Sequence, residues 1–199
     1  RISCALNNIE EKLQEIESVV DDFQEYSYSF NVKILGMPEQ SDSSVETANE
    51  TSNLCVKLFN NMGASVSISD IDLAHRVPLR DSSRGSPKPI VCKFTRRLKR
   101  NEVMSFRRIA SEVNATDLGF TTGTDLSNVR VVDHLTPKTQ KLYANAKNFR
   151  DRFQYAYCWA RNGMIMLRKN PFSRPFRLKD AEHLASLTRQ EQDDAGLNN

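Results

Sequence analysis

Apolar side chains recur at alternating steps of four and three over residues 1–23, with mostly polar side chains between them. This spacing is a heptad seam and predicts a coiled coil over residues 1–28. Leucine dominates the a positions and isoleucine the d positions, a combination that disfavours two strands and indicates a trimer or a tetramer, of which we favour a parallel homotrimer. The predicted contact residues are Ile2, Leu6, Ile9, Leu13, Ile16, Val20 and Phe23.

The charges beside the seam bear on its orientation. Lys12 and Glu17 fall at a g position and the following e position, where they pair between chains only if the helices run parallel and in register. A seam of three heptads is marginal by itself, so we expect it to continue upstream of Arg1. The alternative is a single amphipathic helix folded onto the rest of the chain, although its apolar stripe is narrow.

The middle of the chain, residues 30–135, alternates between strand-like and helix-like patterns in the order β-α-β-β-α-β. Ser43 and Glu46 form a capping box that starts the first helix, and the second helix is predicted from about residue 98 to 113. This order is that of the ferredoxin-like split β-α-β fold, the architecture of RNA-recognition motifs. The predicted strands are residues 31–37, 71–77, 90–94 and 129–135.

The exposed face of this predicted sheet lacks the aromatic side chains on which RNA-recognition motifs stack bases. Lys33 stands where the first strand would carry an aromatic residue, and Val91 and Lys93 occupy the open face of the third strand. Such a face predicts contacts to phosphates, with weak sequence preference and strong salt dependence. The alternative is a sheet that binds protein, because the fold alone does not decide. The second strand is expected to add Asp72, Ala74 and Arg76 to this face.

Residues 136–188 predict a small basic α-β-β-α domain. Thr136 caps a helix that Pro137 opens, and Asn162-Gly163 between two alternating runs is the strongest short signal for a hairpin. The hairpin gathers aromatic residues and arginines on one face, a stacking platform for unpaired bases. The alternative is that Trp159 and the tyrosines belong to the core. The residues of this face are Tyr155, Tyr157, Trp159, Arg161, Met164, Met166 and Arg168.

A two-residue turn also fixes the hairpin register. It pairs Arg161 with Met164, Trp159 with Met166, and Tyr157 with Arg168. After the hairpin, residues 170–178 are predicted to form an extended arm and residues 179–187 a short helix. Residues 189–199 are predicted to be a disordered tail.

Charge is unevenly distributed along the 199 residues, although the net charge is only +3. Residues 1–30 hold seven acidic and two basic side chains, residues 90–113 seven basic and two acidic, and residues 136–178 ten basic and one acidic. Two basic blocks beside an acidic helix are the pattern expected of a polyanion-binding protein. The first basic block by itself, residues 90–113, is explained equally well as a charged surface exposed to solvent.

Several classes of protein are disfavoured. No apolar run approaches the ~18 residues of a membrane span, and the four cysteines include no C-x-x-C pair, which argues against a zinc site and a disulfide framework. We therefore expect no cofactor, no metal and no membrane partner. Common catalytic motifs are absent, so we expect no enzymatic activity. A metal-dependent nuclease built on Asp70 and Asp72 is the weakest alternative.

Short segments carry a resemblance to known families. AHRVP at 74–78 and PIVCKF at 89–94, together with the heptad seam and the basic C-terminal domain, resemble the first open-reading-frame protein of LINE-type non-LTR retrotransposons. This implies a homotrimer that coats its transcript as a nucleic-acid chaperone, in a cytoplasmic and also nuclear ribonucleoprotein that meets the element's reverse transcriptase. CWARNGMIMLRK with FRLKDAEHL is similar to the C-terminal domain of baculovirus few-polyhedra proteins, which implies a structural or trafficking scaffold.

The sequence thus predicts an α+β protein with an N-terminal coiled coil, a ferredoxin-like domain over 30–135 and a basic domain over 136–188. We expect it to bind single-stranded RNA and DNA with little sequence preference. The resemblance itself implies nucleic-acid contacts at Arg76, Arg96, Arg97, Arg161 and Arg168. The full predicted set is Lys33, Arg76, Lys93, Arg96, Arg97, Arg100, Lys141, Arg152, Tyr157, Trp159, Arg161, Arg168 and Arg174.

Overall fold

The computed structural model describes residues 2–39, 46–78 and 85–197, with side chains described for 5–39, 46–78 and 85–193. The chain divides into two compact units. One is Ser29–His134, here called the sheet unit; the other combines Arg1–Tyr28 with Leu135–Asn199 and is called the terminal unit. Among the helices described, none has the length and apolar character needed to cross a bilayer.

The described elements form a mixed α+β structure, which confirms the predicted fold class. The helices are α1 (Ile2–Tyr28), α2 (Ala48–Asn61), α3 (Arg97–Ser105), α4 (Ala115–Leu118), α5 (Pro137–Arg152) and α6 (Ala181–Leu197). The strands are β1 (Asn31–Leu35), β2 (Ile71–Arg76), β3 (Ile90–Phe94), β4 (Arg130–Asp133), β5 (Tyr157–Arg161), β6 (Met164–Arg168) and β7 (Phe176–Leu178).

The sheet unit is built on four antiparallel strands in the order β2-β3-β1-β4. Alternate side chains of these strands pack with α2 and α3 into one apolar core, in which Ile34, Phe59 and Phe94 are fully buried. The strand order and the two crossover helices are those of the ferredoxin-like fold, as predicted.

The first strand and the first helix differ from the prediction at their ends. Strand β1 stops at Leu35, before the predicted residue 37, because Gly36 turns with a φ of +71° and a Cβ there would lie 2.3 Å from the Asn128 carbonyl oxygen. Helix α2 begins at a capping box made by Thr47 and Glu50, four residues after the predicted box. Ser43 lies outside the described residues.

A β-bulge in β2 changes which of its side chains lie on the open face of the sheet, so the predicted face is corrected. The pairing between β2 and β3 shifts between Ile71 and Leu73, so Asp72 is the extra residue and the side chains after it point to opposite faces from those expected. Leu73 and His75 therefore lie on the open face, whereas Ala74 is fully buried in the core.

The predicted helix over residues 98–113 is interrupted. Helix α3 ends at Ser105, Phe106 leaves the helical conformation with a ψ of 2°, and Arg107–Ser111 continues as a 3₁₀ turn. The break lets both Phe106 and Ala110 pack on the core.

Arg100 is buried, contrary to its predicted outward position. Its side chain forms an ion pair with Asp133 in which both partners are less than 7% exposed, and its Nε donates to the Asn31 carbonyl 3.4 Å away. The Arg100 guanidinium thus connects α3 to β4, the edge strand of the sheet, and its role is structural.

In the terminal unit, α5 packs against the three-stranded sheet β5-β6-β7. The Thr136 hydroxyl caps α5 by accepting from the Thr139 amide, 3.2 Å away. Strands β5 and β6 have the predicted register, with Tyr157 opposite Arg168 and Trp159 opposite Met166. The hairpin prediction is therefore confirmed residue by residue.

The chain after the hairpin is more ordered than predicted. Part of the expected arm forms β7, which pairs with β6, and α6 continues to Leu197 instead of ending at residue 187. Glu191 explains the longer helix, because it accepts hydrogen bonds from the Tyr155 hydroxyl and the Lys169 ammonium group, each at 2.8 Å. The prediction that residues 189–199 are disordered is therefore wrong for the residues up to Leu197, which are helical.

Breaking the Arg100–Asp133 pair should strongly destabilise the sheet unit. Arg100→Met leaves a buried carboxylate without its partner, at a cost of about 3–5 kcal/mol in the free energy of unfolding, whereas adding Asp133→Leu should recover most of it. Urea unfolding followed by circular dichroism measures both. Arg108→Met removes an exposed arginine nearby and should change stability by less than about 0.5 kcal/mol. Equal stability of Arg100→Met and Arg108→Met would contradict the structural role of Arg100.

Candidate nucleic-acid interface

The outward face of the sheet β5-β6-β7 is a continuous mixture of aromatic, thioether and guanidinium groups, here called the platform. The strand register sets it, because residues directly opposite one another share a face. Tyr157 is 44% exposed, Trp159 is half-buried and Arg161 is exposed. The platform consists of Tyr157, Trp159, Arg161, Met164, Met166, Arg168 and Arg177.

Arg177 was missing from the predicted site. Strand β7 places it opposite Met166, which itself lies opposite Trp159, so these side chains form one row across three strands. The alternation of Phe176, Arg177 and Leu178 between apolar and charged residues was a signal that could have identified the strand.

At one end of the platform, Arg168 contacts both Tyr157 and the loop between β6 and β7. Its Cζ lies 5.5 Å from the centre of the Tyr157 ring. Its Nε donates to the Ser173 carbonyl at 2.9 Å and its Nη2 donates to the Pro171 carbonyl. Since two of its three nitrogens are used within the unit, Arg168 positions Tyr157 and the β6–β7 loop more than it offers donors to a phosphate.

Tyr155 does not belong to the platform, which corrects the predicted face. Gln154 has a φ of +56°, and this turn directs Tyr155 into the core, where it is 7% exposed and packs edge-on against Phe149 with 5.1 Å between ring centres. Burial, together with the hydrogen bond to Glu191, raises the pKa of Tyr155. The alternative interpretation, in which the tyrosines belong to the core, is therefore correct for Tyr155, whereas Tyr157 remains exposed.

The stretch of sequence that carries the platform holds charges of one sign. Between Asp151 and Asp180 the sequence contains seven cations and no carboxylate. Lys169 among them is paired with Glu191 from α6. The seven are Arg152, Arg161, Arg168, Lys169, Arg174, Arg177 and Lys179.

Helix α5 contributes two of the predicted residues. Lys141 and Arg152 are exposed, and the Arg152 guanidinium lies 5.2 Å from the centre of the Phe153 ring. Lys138 on the same helix forms an ion pair with Asp21 of α1, which raises the pKa of Lys138. That cation is therefore partly neutralised within the unit.

On the open face of the sheet unit, the predicted lysines have defined neighbours. Lys33 on β1 lies between Val91 and Val132, and Lys93 pairs with Asp72 at 2.7 Å, both about half exposed. Arg96 is 69% exposed and pairs with Asp70 at 2.5 Å. Arg97 is exposed and lies 5.8 Å above the Phe30 ring.

The structure removes two arginines from the predicted site. Arg100 is in the buried pair described above, and the Arg76 side chain is only 9% exposed. Arg76 binds the Glu46 carboxylate at 2.8 Å and donates to the carbonyls of Met37, Pro38 and Lys88. All three of its side-chain nitrogens donate to these partners, so Arg76 connects β2 to the segment after β1 instead of presenting a cation to solvent.

The two aspartates considered for catalysis have cationic partners. Asp70 accepts from the Ser67 amide at 3.0 Å and from Arg96, and these hydrogen bonds lower the pKa of Asp70 to about 2. Asp72 is paired with Lys93. Across the residues for which side chains are described, no group of three or more His, Cys, Asp or Glu residues could hold a metal ion.

The seam of α1 remains open to solvent within the chain. Its described apolar side chains are 47–71% exposed, which is unusual for six large apolar residues on one helix face. The Ile2 side chain lies outside the described residues. The exposed seam residues are Leu6, Ile9, Leu13, Ile16, Val20 and Phe23.

His134 gives the sheet unit a testable pH dependence. Burial, together with the positive charges of Lys33 and His75, lowers the pKa of His134 to about 4, and its Nδ1 lies 3.2 Å from the Asn31 amide nitrogen. Because the folded pKa lies below the ordinary value of ~6.5, the neutral ring stabilises the fold above pH ~6.5. This contribution is lost as pH falls toward 4.

The midpoint of urea unfolding should therefore decrease between about pH 7 and about pH 4.5, and should decrease less in His134→Gln. His183→Gln, which removes an imidazole from the other unit, is the control. Identical pH profiles for wild type and His134→Gln would contradict this role for His134.

Comparison with known proteins supports the similarity of the C-terminal part. Residues 136–188, which contain α5, the hairpin, β7 and the start of α6, match the family described as Baculovirus FP protein domain 2. No curated protein shows a significant match to the chain. The matched segment includes the whole platform, whereas the candidate contacts of the sheet unit lie outside it.

Proposed function

We propose that the chain is a sequence-tolerant binder of single-stranded RNA and DNA that self-associates through α1. In this proposal it coats and chaperones the transcript of a retrotransposon in a cytoplasmic and also nuclear ribonucleoprotein. The observation that carries the proposal is the platform: the exposed Tyr157, the half-buried Trp159 and arginines on one face of a sheet, inside a stretch with seven cations and no carboxylate.

The chemistry of the platform suits unpaired bases. Tyr157 and Trp159 offer π-faces to bases of any sequence, and stacking on such rings contributes ~1–3 kcal/mol per base. Arg161 and Arg177 provide charge for the phosphates on the same face. A ring can stack on any base, so weak sequence preference is expected from these aromatic contacts.

The sheet unit would add electrostatic affinity. Lys33, Lys93, Arg96 and Arg97 are its remaining predicted contacts. Lys93 and Arg96 are paired with Asp72 and Asp70, yet their own side chains are 47% and 69% exposed, so a phosphate can reach them. A contribution of this kind depends on salt and not on sequence.

Self-association would join several nucleic-acid-binding sites, each of modest affinity, in one assembly. The described seam residues of α1 are spaced as heptads and are 47–71% exposed, and a second and third copy of the same helix would cover them. Joining several sites on one coil raises affinity through effective concentration. The resemblance to LINE-type proteins points to the same parallel homotrimer, with the element's reverse transcriptase as a further partner.

A second candidate function is a coiled-coil scaffold that binds proteins. The match of residues 136–188 to Baculovirus FP protein domain 2 favours it. Under this alternative the platform would bind a protein, and pure protein would not retain single-stranded RNA even at low salt.

Removing one platform charge should reduce both affinity and its salt dependence. For Arg161→Gln, the slope of log affinity against log salt concentration should become shallower by roughly 0.7, the value for one phosphate contact on a single strand. Filter binding of unrelated RNA oligonucleotides across a salt series measures it. Arg108→Gln, an equal loss of charge on the sheet unit, is the matched control. Unchanged binding by Arg161→Gln would remove the platform from the interface.

Interrupting the seam should abolish self-association. Leu13→Glu places a charge at an a position, where it would be desolvated between helices, so the variant should sediment as a monomer while wild type sediments as a trimer. Ser18→Glu introduces the same residue at the outward f position and should remain trimeric. Monomeric wild-type protein in sedimentation equilibrium would refute the coil.

A further inference from the structure

Phe172 is the most exposed of the large apolar side chains in the described chain, with 96% of its surface accessible. It lies in the loop between β6 and β7, next to the end of the platform where Tyr157 and Arg168 face each other. Leaving this ring in water forgoes the free energy that burial of its apolar surface would provide. An aromatic ring placed in this way on an ordered loop needs an explanation.

The loop is held in one conformation by its own polar groups. The Asn170 carboxamide oxygen accepts from the amides of Phe172 and Ser173, at 2.9 and 2.8 Å. The Ser173 hydroxyl accepts from the Asn170 amide and donates to its carbonyl, both at 3.0 Å. Pro171 further restricts the backbone. The ring is therefore presented by a preorganised turn, which lowers the entropic cost of binding.

Arg168 connects this turn to the platform. The same guanidinium that lies over Tyr157 donates to the carbonyls of Pro171 and Ser173. Tyr157, Arg168 and the loop thus form one hydrogen-bonded and stacked assembly, and Phe172 is the ring at its outer end.

The surroundings of Phe172 favour an anionic ligand with flat groups. Arg168 precedes the ring, and Arg174 follows it by two residues and is exposed. Lys169 is paired with Glu191, but no carboxylate occurs in the sequence between Asp151 and Asp180. A hydrophobic protein partner would match the ring but not this charge. An unpaired nucleotide matches both, because its base stacks and its phosphate is anionic.

We infer that Phe172 is a base-stacking residue that extends the platform beyond Tyr157, with Arg168 as the positioning residue and Arg174 beside it for a phosphate. Its ligand class is an unpaired nucleobase in single-stranded RNA or DNA. This inference rests on the proposed function, and it adds a contact that the hairpin pattern did not indicate.

The test compares Phe172→Ala, Phe172→Leu and Phe172→Trp, using fluorescence anisotropy with a labelled single-stranded oligonucleotide and with the same oligonucleotide carrying abasic sites. Because the ring is exposed, all variants should fold like wild type. Loss of one stacked base should weaken binding of the intact oligonucleotide by roughly 5- to 150-fold in Phe172→Ala and Phe172→Leu. Phe172→Trp should retain wild-type affinity, and binding of the abasic oligonucleotide should not change.

Two results would overturn the inference while leaving the proposed function intact. One is wild-type affinity of Phe172→Ala or Phe172→Leu for the intact oligonucleotide. The other is an equal loss with intact and abasic oligonucleotides, since a stacking contact requires the base. Failure of the wild-type protein to bind either oligonucleotide would instead remove the proposed function itself, and Phe172-dependent capture by lipid vesicles in that case would assign the ring to a membrane surface.

Discussion

The register of the β5–β6 hairpin is the constraint on which the candidate interface depends. Asn162 and Gly163 turn the chain with φ values of +51° and +74°, a combination that suits a tight two-residue turn. Since side chains alternate across a strand, a slip of one residue would exchange the two faces. Ile165 and Leu167, now fully buried, would be exposed, and the arginines would enter the core. The turn therefore determines both the stability of the terminal unit and the composition of the platform.

Whether an arginine side chain is buried or exposed determines whether its role is structural or whether it is available to a ligand. Arg76 and Arg100 occur in a basic part of the chain, yet their side chains are 9% and 4% exposed and bound to carboxylates. A buried guanidinium needs such partners because an unpaired charge in the interior is very costly. Arg161 has no comparable position in the core and remains exposed. A count of basic residues therefore exaggerates the interface, and the exposed subset is the part able to meet phosphates.

Local signals account for what the sequence predicted well. The hairpin, the Thr136 cap and the order of the elements along the chain all follow from residues close together in the sequence, and each was found where expected. The errors arise from contacts between distant residues. Arg76 meets Glu46 across 30 positions, and α6 is extended by Glu191, whose partner Tyr155 is 36 residues earlier. The bulge at Asp72 likewise depends on pairing with β3, which no property of β2 alone indicates.

The exposed rings and the open seam have a common physical meaning. Tyr157 and Phe172 on the terminal unit, and Leu13 and Phe23 on α1, leave large apolar surface in water. Folding of a single chain gains nothing from them. Under the proposed function the seam is covered by other copies and the rings by bases. Each platform alone offers only a few stacking contacts at ~1–3 kcal/mol apiece, so under this proposal several platforms would act on one strand and the coil would join them. Self-association and base stacking would then depend on each other, because the affinity of one platform would be modest without the coil.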